Sequence, residues 1–178
     1  MRKQLLLAGG LAVALLLAAC GGDTGADPNR ELKLGIVVAN NSLNFAREMY
    51  EGATEAAKHA GNIDFKVVGP TTTDGPAEVQ LFENLTVTSP DGIIVENLAP
   101  PLFTRPEARA VGKGIPIVAL DTSPMKGSKV EFYVGNDNYE LGVMLAKETL
   151  KQVGNDAKGL VVIGVPNPGT PVLDNRAQ

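Results

Sequence analysis

The sequence predicts an α/β protein built as a doubly wound parallel sheet. Three observations carry that expectation. From Leu32 onward, short β-branched apolar runs alternate with segments of helical periodicity. Polar residues gather directly after the apolar runs, and no stretch repeats at a fixed short period, so a solenoid is not indicated. Such alternation is the βαβ pattern of a sheet covered on both faces.

Taken in order, residues 34–39 read as a first buried strand. A helix over about 43–60 follows, with apolar positions Phe45, Met49, Ala53, Ala56 and Ala57. Residues 65–68 make a second strand. Gly75-Pro76 opens the next helix, with proline near its first position and Val79, Phe82 and Leu85 as the inward stripe. Residues 92–95 are a third strand, a proline-interrupted segment carries Ala108 to Val111, and 116–120 form a fourth strand. Residues 131–134 make a fifth. A helix over 139–153 places Leu141, Met144, Leu145 and Leu150 inward, and residues 159–163 make a sixth strand.

Before the first strand lies a different kind of segment. Met1-Arg2-Lys3 precedes a 15-residue apolar run over 5–19, shorter than the roughly 20 residues a membrane span needs. Small residues before a cleavage point complete a secretory signal. Leu17-Ala18-Ala19-Cys20 resembles a bacterial lipobox, which implies cleavage before Cys20 and a diacylglyceryl thioether on it. Residues 21–30 are small, polar and breaker-rich, as suits a tether holding a domain off a membrane. The expected divisions are therefore a signal over 1–19, a tether over 20–31, a first lobe over 32–154 and the start of a second over 155–178.

Composition removes several function classes. Arg2 and Lys3 leave with the signal, taking the formal net charge from −4 to −6, and an acidic chain without a basic run is no nucleic-acid binder. Cys20 is the sole cysteine and His59 the sole histidine. An intramolecular disulfide, a Ser-His-Asp triad and a multi-histidine zinc site are thus excluded, and no cofactor or metal is expected. His59 reads as a last-turn residue facing a helix C-terminus.

In doubly wound sheets, ligands bind beyond the carboxyl ends of the strands. There the sequence places Asn40, Asn41 and Ser42, then Glu96 and Asn97, then Asp121 and Thr122, then Asp137. Ser42 and Asp137 each precede a helix and also read as caps. Amides and carboxylates with few cations suit a neutral polyhydroxylated ligand, and Phe45 could cover its ring. No G-x-G-x-x-G follows the first strand, and residues 164–169 continue as Thr170-Pro171 where a P-loop needs Lys and Ser or Thr.

Three further stretches are specific. They are Gly114-Ile115-Pro116-Ile117-Val118-Ala119-Leu120-Asp121, then Val134-Gly135-Asn136-Asp137-Asn138-Tyr139-Glu140-Leu141-Gly142, then Pro168-Gly169-Thr170-Pro171 leading to Asn175-Arg176. Over residues 32–178 the chain resembles the type I periplasmic sugar-binding proteins of ABC importers, close to the ribose- and galactose-binding group. The resemblance implies two lobes that close on a monosaccharide and deliver it to a membrane permease, without bond chemistry. Asp121 would bind hydroxyls, Phe45 would stack on the ring and Arg176 would reach in from the second lobe. Partners would be the importer permease, the membrane through Cys20, and a chemoreceptor, with the protein exported and anchored at the outer face of the cytoplasmic membrane or in the periplasm.

Thr122 stands where the ribose pattern has arginine, and Leu43 and Ala46 stand where it has asparagine and a second aromatic. Those changes remove a forked donor and a stacking face, which moves the expectation away from ribose but not from sugars. The family pattern also predicts that the chain stops early in the second lobe, leaving a sheet edge exposed. Two other readings remain open: an exported glycosidase using Asp121 and Asp137 as its carboxyl pair, and a truncated, non-functional receptor or anchored half-domain. A repressor effector domain is excluded by the export signal and the absence of a helix-turn-helix.

Overall fold

The computed structural model describes residues 27, 30–154, 156, 158–159 and 171–178. Asp27 and Arg30 belong to an N-terminal unit of their own, and all later described residues belong to a second unit. The signal, the lipobox with Cys20, the glycine-proline loop and nearly all of the expected sixth strand lie outside the described residues.

Among the described residues five parallel strands make one sheet in the order β2-β1-β3-β4-β5. β1 (Leu32–Val38) pairs with β2 (Ile63–Val68) on one side and with β3 (Gly92–Glu96) on the other. β4 (Ile117–Leu120) follows, and β5 (Phe132–Val134), exposed along its length, is the last strand in the row among the described residues. Both β1 and β2 start two residues earlier than the sequence suggests, because Lys33 and Asp64 extend the pairing where water reaches their side chains.

The two-residue side-chain period of β1 divides the core. Val37 joins Phe82, Leu85, Ile93, Val95, Phe103, Ile117 and Ala119 under helices α2 (Gly75–Thr88) and α3 (Pro100–Gly112). Ile36 and Val38 point the other way, to Ala46 and Met49 of α1 (Asn44–Ala60). Phe82 and Phe103 meet edge to face, centroids 5.7 Å apart, where the two helices share one side of the sheet. Gly35 lets β1 approach α2, since a Cβ there would lie 2.8 Å from Leu85 Cδ2.

Helix signals explain most boundaries. The Asp74 carboxylate caps α2 by accepting the Ala77 N–H at 3.0 Å, and Gly61 closes α1 in the left-handed region. α1 departs from expectation at its start: Leu43, not Ser42, is the N-cap, and no side chain caps the helix. Ser42 instead turns its hydroxyl back to Asn40. α3 replaces the expected interrupted segment with a continuous helix. Pro100 and Pro101 sit at its start, where a missing N–H costs nothing, and only Pro106 withholds a donor from the interior. His59 is exposed in the last turn of α1, 3.3 Å from Glu55.

α4 (Asn138–Val153) corrects a second expectation. Met144, Leu145 and Leu150 do not face inward but lie 65, 55 and 43 % exposed. Among the described residues its packing partner is the short α5 (Pro171–Ala177). Gly142 makes that approach possible, because a Cβ there would strike the Arg176 backbone carbonyl. Among the described residues no helix is long and apolar enough to cross a membrane.

Candidate functional site

Strand order reverses between β1 and β3, so the crevice of this sheet opens at their carboxyl ends. The register runs Val38–Glu96–Leu120 across β1, β3 and β4. Ala39, Asn97 and Asp121 therefore leave the sheet side by side, and the residues expected at the first, third and fourth strand ends share one edge.

The β1–α1 loop is tied down by its own amides. Asn40 Oδ1 accepts both the Ser42 N–H (2.9 Å) and the Ser42 hydroxyl (2.7 Å), while Asn40 Nδ2 donates to Thr73 Oγ1 at 3.4 Å. Asn41 Nδ2 donates to the Gly69 carbonyl at 2.8 Å, and its backbone N–H donates to the Pro70 carbonyl. These bonds fix the loop against the β2–α2 connection. They leave Phe45, 44 % exposed on the first turn of α1, as the uncovered aromatic face beside the edge.

Asp121 is held in an unusual backbone state. Its φ of 62° is the one positive value at a non-glycine position among the described residues, and such a conformation costs on the order of 1 kcal/mol or more. Two bonds secure it: the Asp121 N–H donates to the Val134 carbonyl at 2.8 Å, and the Tyr133 hydroxyl lies 2.9 Å from the Asp121 carbonyl. No side-chain bond occupies the Asp121 carboxylate among the described residues. Burial, with the charges of Asp121 and Asp137 beside it, raises the Tyr133 phenol above its ordinary value.

Beneath this edge the interior is polar. Glu96, Asn97 and Thr122 are 0, 3 and 1 % exposed, and Glu96 Oε1, Asn97 Oδ1 and Thr122 Oγ1 have no hydrogen-bond partner. Glu96 Oε2 accepts the Ala39 N–H at 2.9 Å, bridging β3 to the end of β1 across the switch point. Burial pushes Glu96 up to about 7 against the pull of that bond, with Asp121 adding to the rise. Glu78, in the first turn of α2, is pushed up to about 9 by burial and by the nearby Glu96. Sequence reasoning placed Glu96 at the third strand's end without a ligand role and left Glu78 out. A signal for Glu96 was present, a carboxylate closing the apolar run Gly-Ile-Ile-Val within a buried strand.

The expected residues beyond β5 form a separate group. Asp137 caps α4, accepting the Glu140 N–H at 3.1 Å. Arg176 donates through Nε (3.2 Å) and Nη2 to Asn138 Oδ1, so its guanidinium is engaged on α4. Asn136, Asp137, Asn138, Ser123, Tyr133 and Asn175 line a cleft of about 220 Å³. Among the described residues no cluster of His, Cys, Asp and Glu could hold a metal ion.

Comparison with known proteins places this geometry. The periplasmic binding protein domain family matches over residues 34–178. The D-allose-binding periplasmic protein of Escherichia coli (strain K12) is 29% identical over 135 residues, covering 72% of this chain and 43% of its own length. An ABC transporter periplasmic solute-binding protein from Actinobacillus succinogenes 130z, solved with bound D-allose, superimposes with a TM-score of 0.71 at 27% identity, covering 82% of this chain and 51% of that one. The XylFII-LytSN complex matches with a TM-score of 0.73 at 28% identity, covering 83% and 52%. The chain thus spans about half the length of the relatives it matches.

Proposed function

Because the chain belongs to the periplasmic binding protein domain family, we propose that it is the solute-binding component of a sugar ABC importer. It captures a monosaccharide between two lobes and hands it to the permease without breaking a bond. The observation that carries this reading is Asp121, held strained at the crevice with its carboxylate unengaged, beside Asn97 and Thr122 and near exposed Phe45. A carboxylate accepts two hydroxyl hydrogen bonds and an aromatic face covers a sugar ring, which is the chemistry a neutral sugar needs.

The glycosidase alternative loses support because Asp137, its second carboxylate, caps α4. Asn40 and Asn41 act in this reading by shaping the loop, with Ser42 at its tip. Arg176 acts through Asn138, and the α4–α5 pair then belongs with the second lobe, which moves the lobe boundary from 154 to the turn at Asn136-Asp137. The protein is exported and anchored through Cys20. A second partner class, a receptor domain docking on the lobes, has support from the XylFII-LytSN complex.

The test uses the protein expressed from its complete reading frame. D-Allose and D-arabinose at millimolar concentration should raise its thermal midpoint, and Asp121→Ala should abolish the rise. No shift with any monosaccharide would sink the reading. Cys20→Ala should release the protein from the membrane fraction.

A further inference from the structure

The Glu96 carboxylate stands at the junction of the three strand ends that form the crevice, fully buried, with one oxygen on the Ala39 N–H and the other unpartnered. Ala39 is the last residue before Asn40, Asn41 and Ser42, and the chain reaches Phe45 six residues after Ala39. The bond from Glu96 is thus the strut that joins β3 to the root of the loop facing the ligand. We propose that Glu96 is a positioning residue for this loop, holding it in its binding geometry through a charged hydrogen bond to Ala39.

A charged acceptor is stronger than a neutral one, so the strut depends on ionisation. Asp121 from the turn after β4 is the carboxylate that acts on Glu96, Glu78 from α2 stays protonated over the same range, and among the described residues no cation forms an ion pair with Glu96. Asp121 favours the protonated form. Burial places the transition near neutrality, at about 7, so the loop loosens at mildly acid pH and a captured sugar is released more readily there.

The ligand half of this inference rests on the sugar-receptor reading, while the strut itself does not. In ¹⁵N-labelled protein the Ala39 amide proton should move upfield as pH falls from 8 to 5.5. Glu96→Gln, which keeps an acceptor of the same length, should flatten that titration and speed hydrogen exchange at residues 40–43. D-Allose or D-arabinose affinity should fall about fivefold to tenfold between pH 8 and 5.5 in the native protein, and should be low and pH-independent in Glu96→Gln. A flat Ala39 titration in the native protein overturns the proposal, as does equal affinity of native and Glu96→Gln proteins at both pH values. Should neither sugar bind the native protein, the receptor reading fails, and the Ala39 titration with the exchange rates alone decides the strut.

Discussion

Raising the pH from 5 to 8 should destabilise the sheet domain, and Glu78→Gln should remove much of that loss. Glu78 is 2 % exposed, and burial beside Glu96 lifts it from 4.5 to about 9. In the unfolded chain the same group ionises near its ordinary value. Between those two values the native state holds a proton that the unfolded state has released. Stability is therefore fully present below the unfolded value and declines as pH rises, at about 1.4 kcal/mol per pH unit for one proton. Over three units this amounts to roughly 4 kcal/mol, a large fraction of the 5–15 kcal/mol typical of a domain. Urea titrations of the native protein and Glu78→Gln at pH 5, 6.5 and 8 measure it. Gln brings its own packing cost, but that cost is the same at every pH, so the slope is the readout. Parallel stability curves for the two proteins would refute the reasoning.

Three further outcomes follow from particular contacts. Phe82→Ala empties the edge-to-face pair with Phe103 and should cost about 3–5 kcal/mol in urea unfolding. Asp137→Ala removes the acceptor for the Glu140 N–H and should lower stability by about 1 kcal/mol, with fraying confined by hydrogen exchange to the first turn of α4. Asp121→Gly relieves a positive φ and should hold or raise the unfolding free energy in urea, by up to about 1 kcal/mol, while sugar binding followed by calorimetry is lost. A variant of Asp121 that gained stability and kept its affinity would separate the strain from the function.

Much of the fold was legible because it rests on local signals. Apolar runs gave the five described strands, Pro76 marked the start of α2, and the Asp137 cap could be read from its place before a helical pattern. The apolar face of α4 was legible as a pattern but not as to its partner, since periodicity says that Met144 and Leu145 share a side and not what covers it. Prolines in α3 misled for a related reason: each was weighed as a breaker, whereas Pro100 and Pro101 fall where a helix has no need of their N–H groups. In the candidate site, strand ends located Asn97, Asp121 and Thr122 correctly as neighbours on one edge. Glu96 could be placed at the end of the third strand but not given a role, and Glu78 escaped notice, because their burial is tertiary. They stand eighteen positions apart in the chain, and only the packing of α2 on β3 lets Glu96 raise the proton affinity of Glu78.

The distribution of unfavourable features over the molecule makes the strongest case for where it works. Five buried side chains among the described residues have an oxygen without a hydrogen-bond partner. Ser89 stands at the far end of α2, whereas Glu78, Glu96, Asn97 and Thr122 all stand at the carboxyl edge of the sheet, in the first turn of α2 or at the ends of β3 and β4. Each such atom costs about 1–3 kcal/mol, and the same edge carries the strained backbone of Asp121. At the opposite, amino edge Ser89 is the one such side chain among the described residues, and Asp91 there accepts the Lys33 N–H while the Asp91 N–H donates to the Lys33 carbonyl. A sheet selected for stability alone would replace the glutamates and the threonine with apolar residues of similar volume. Their concentration at the one edge where strand order reverses is what a surface organised around a polar ligand requires, because the groups that destabilise the empty crevice are the groups that can hold its walls in register when the ligand is bound.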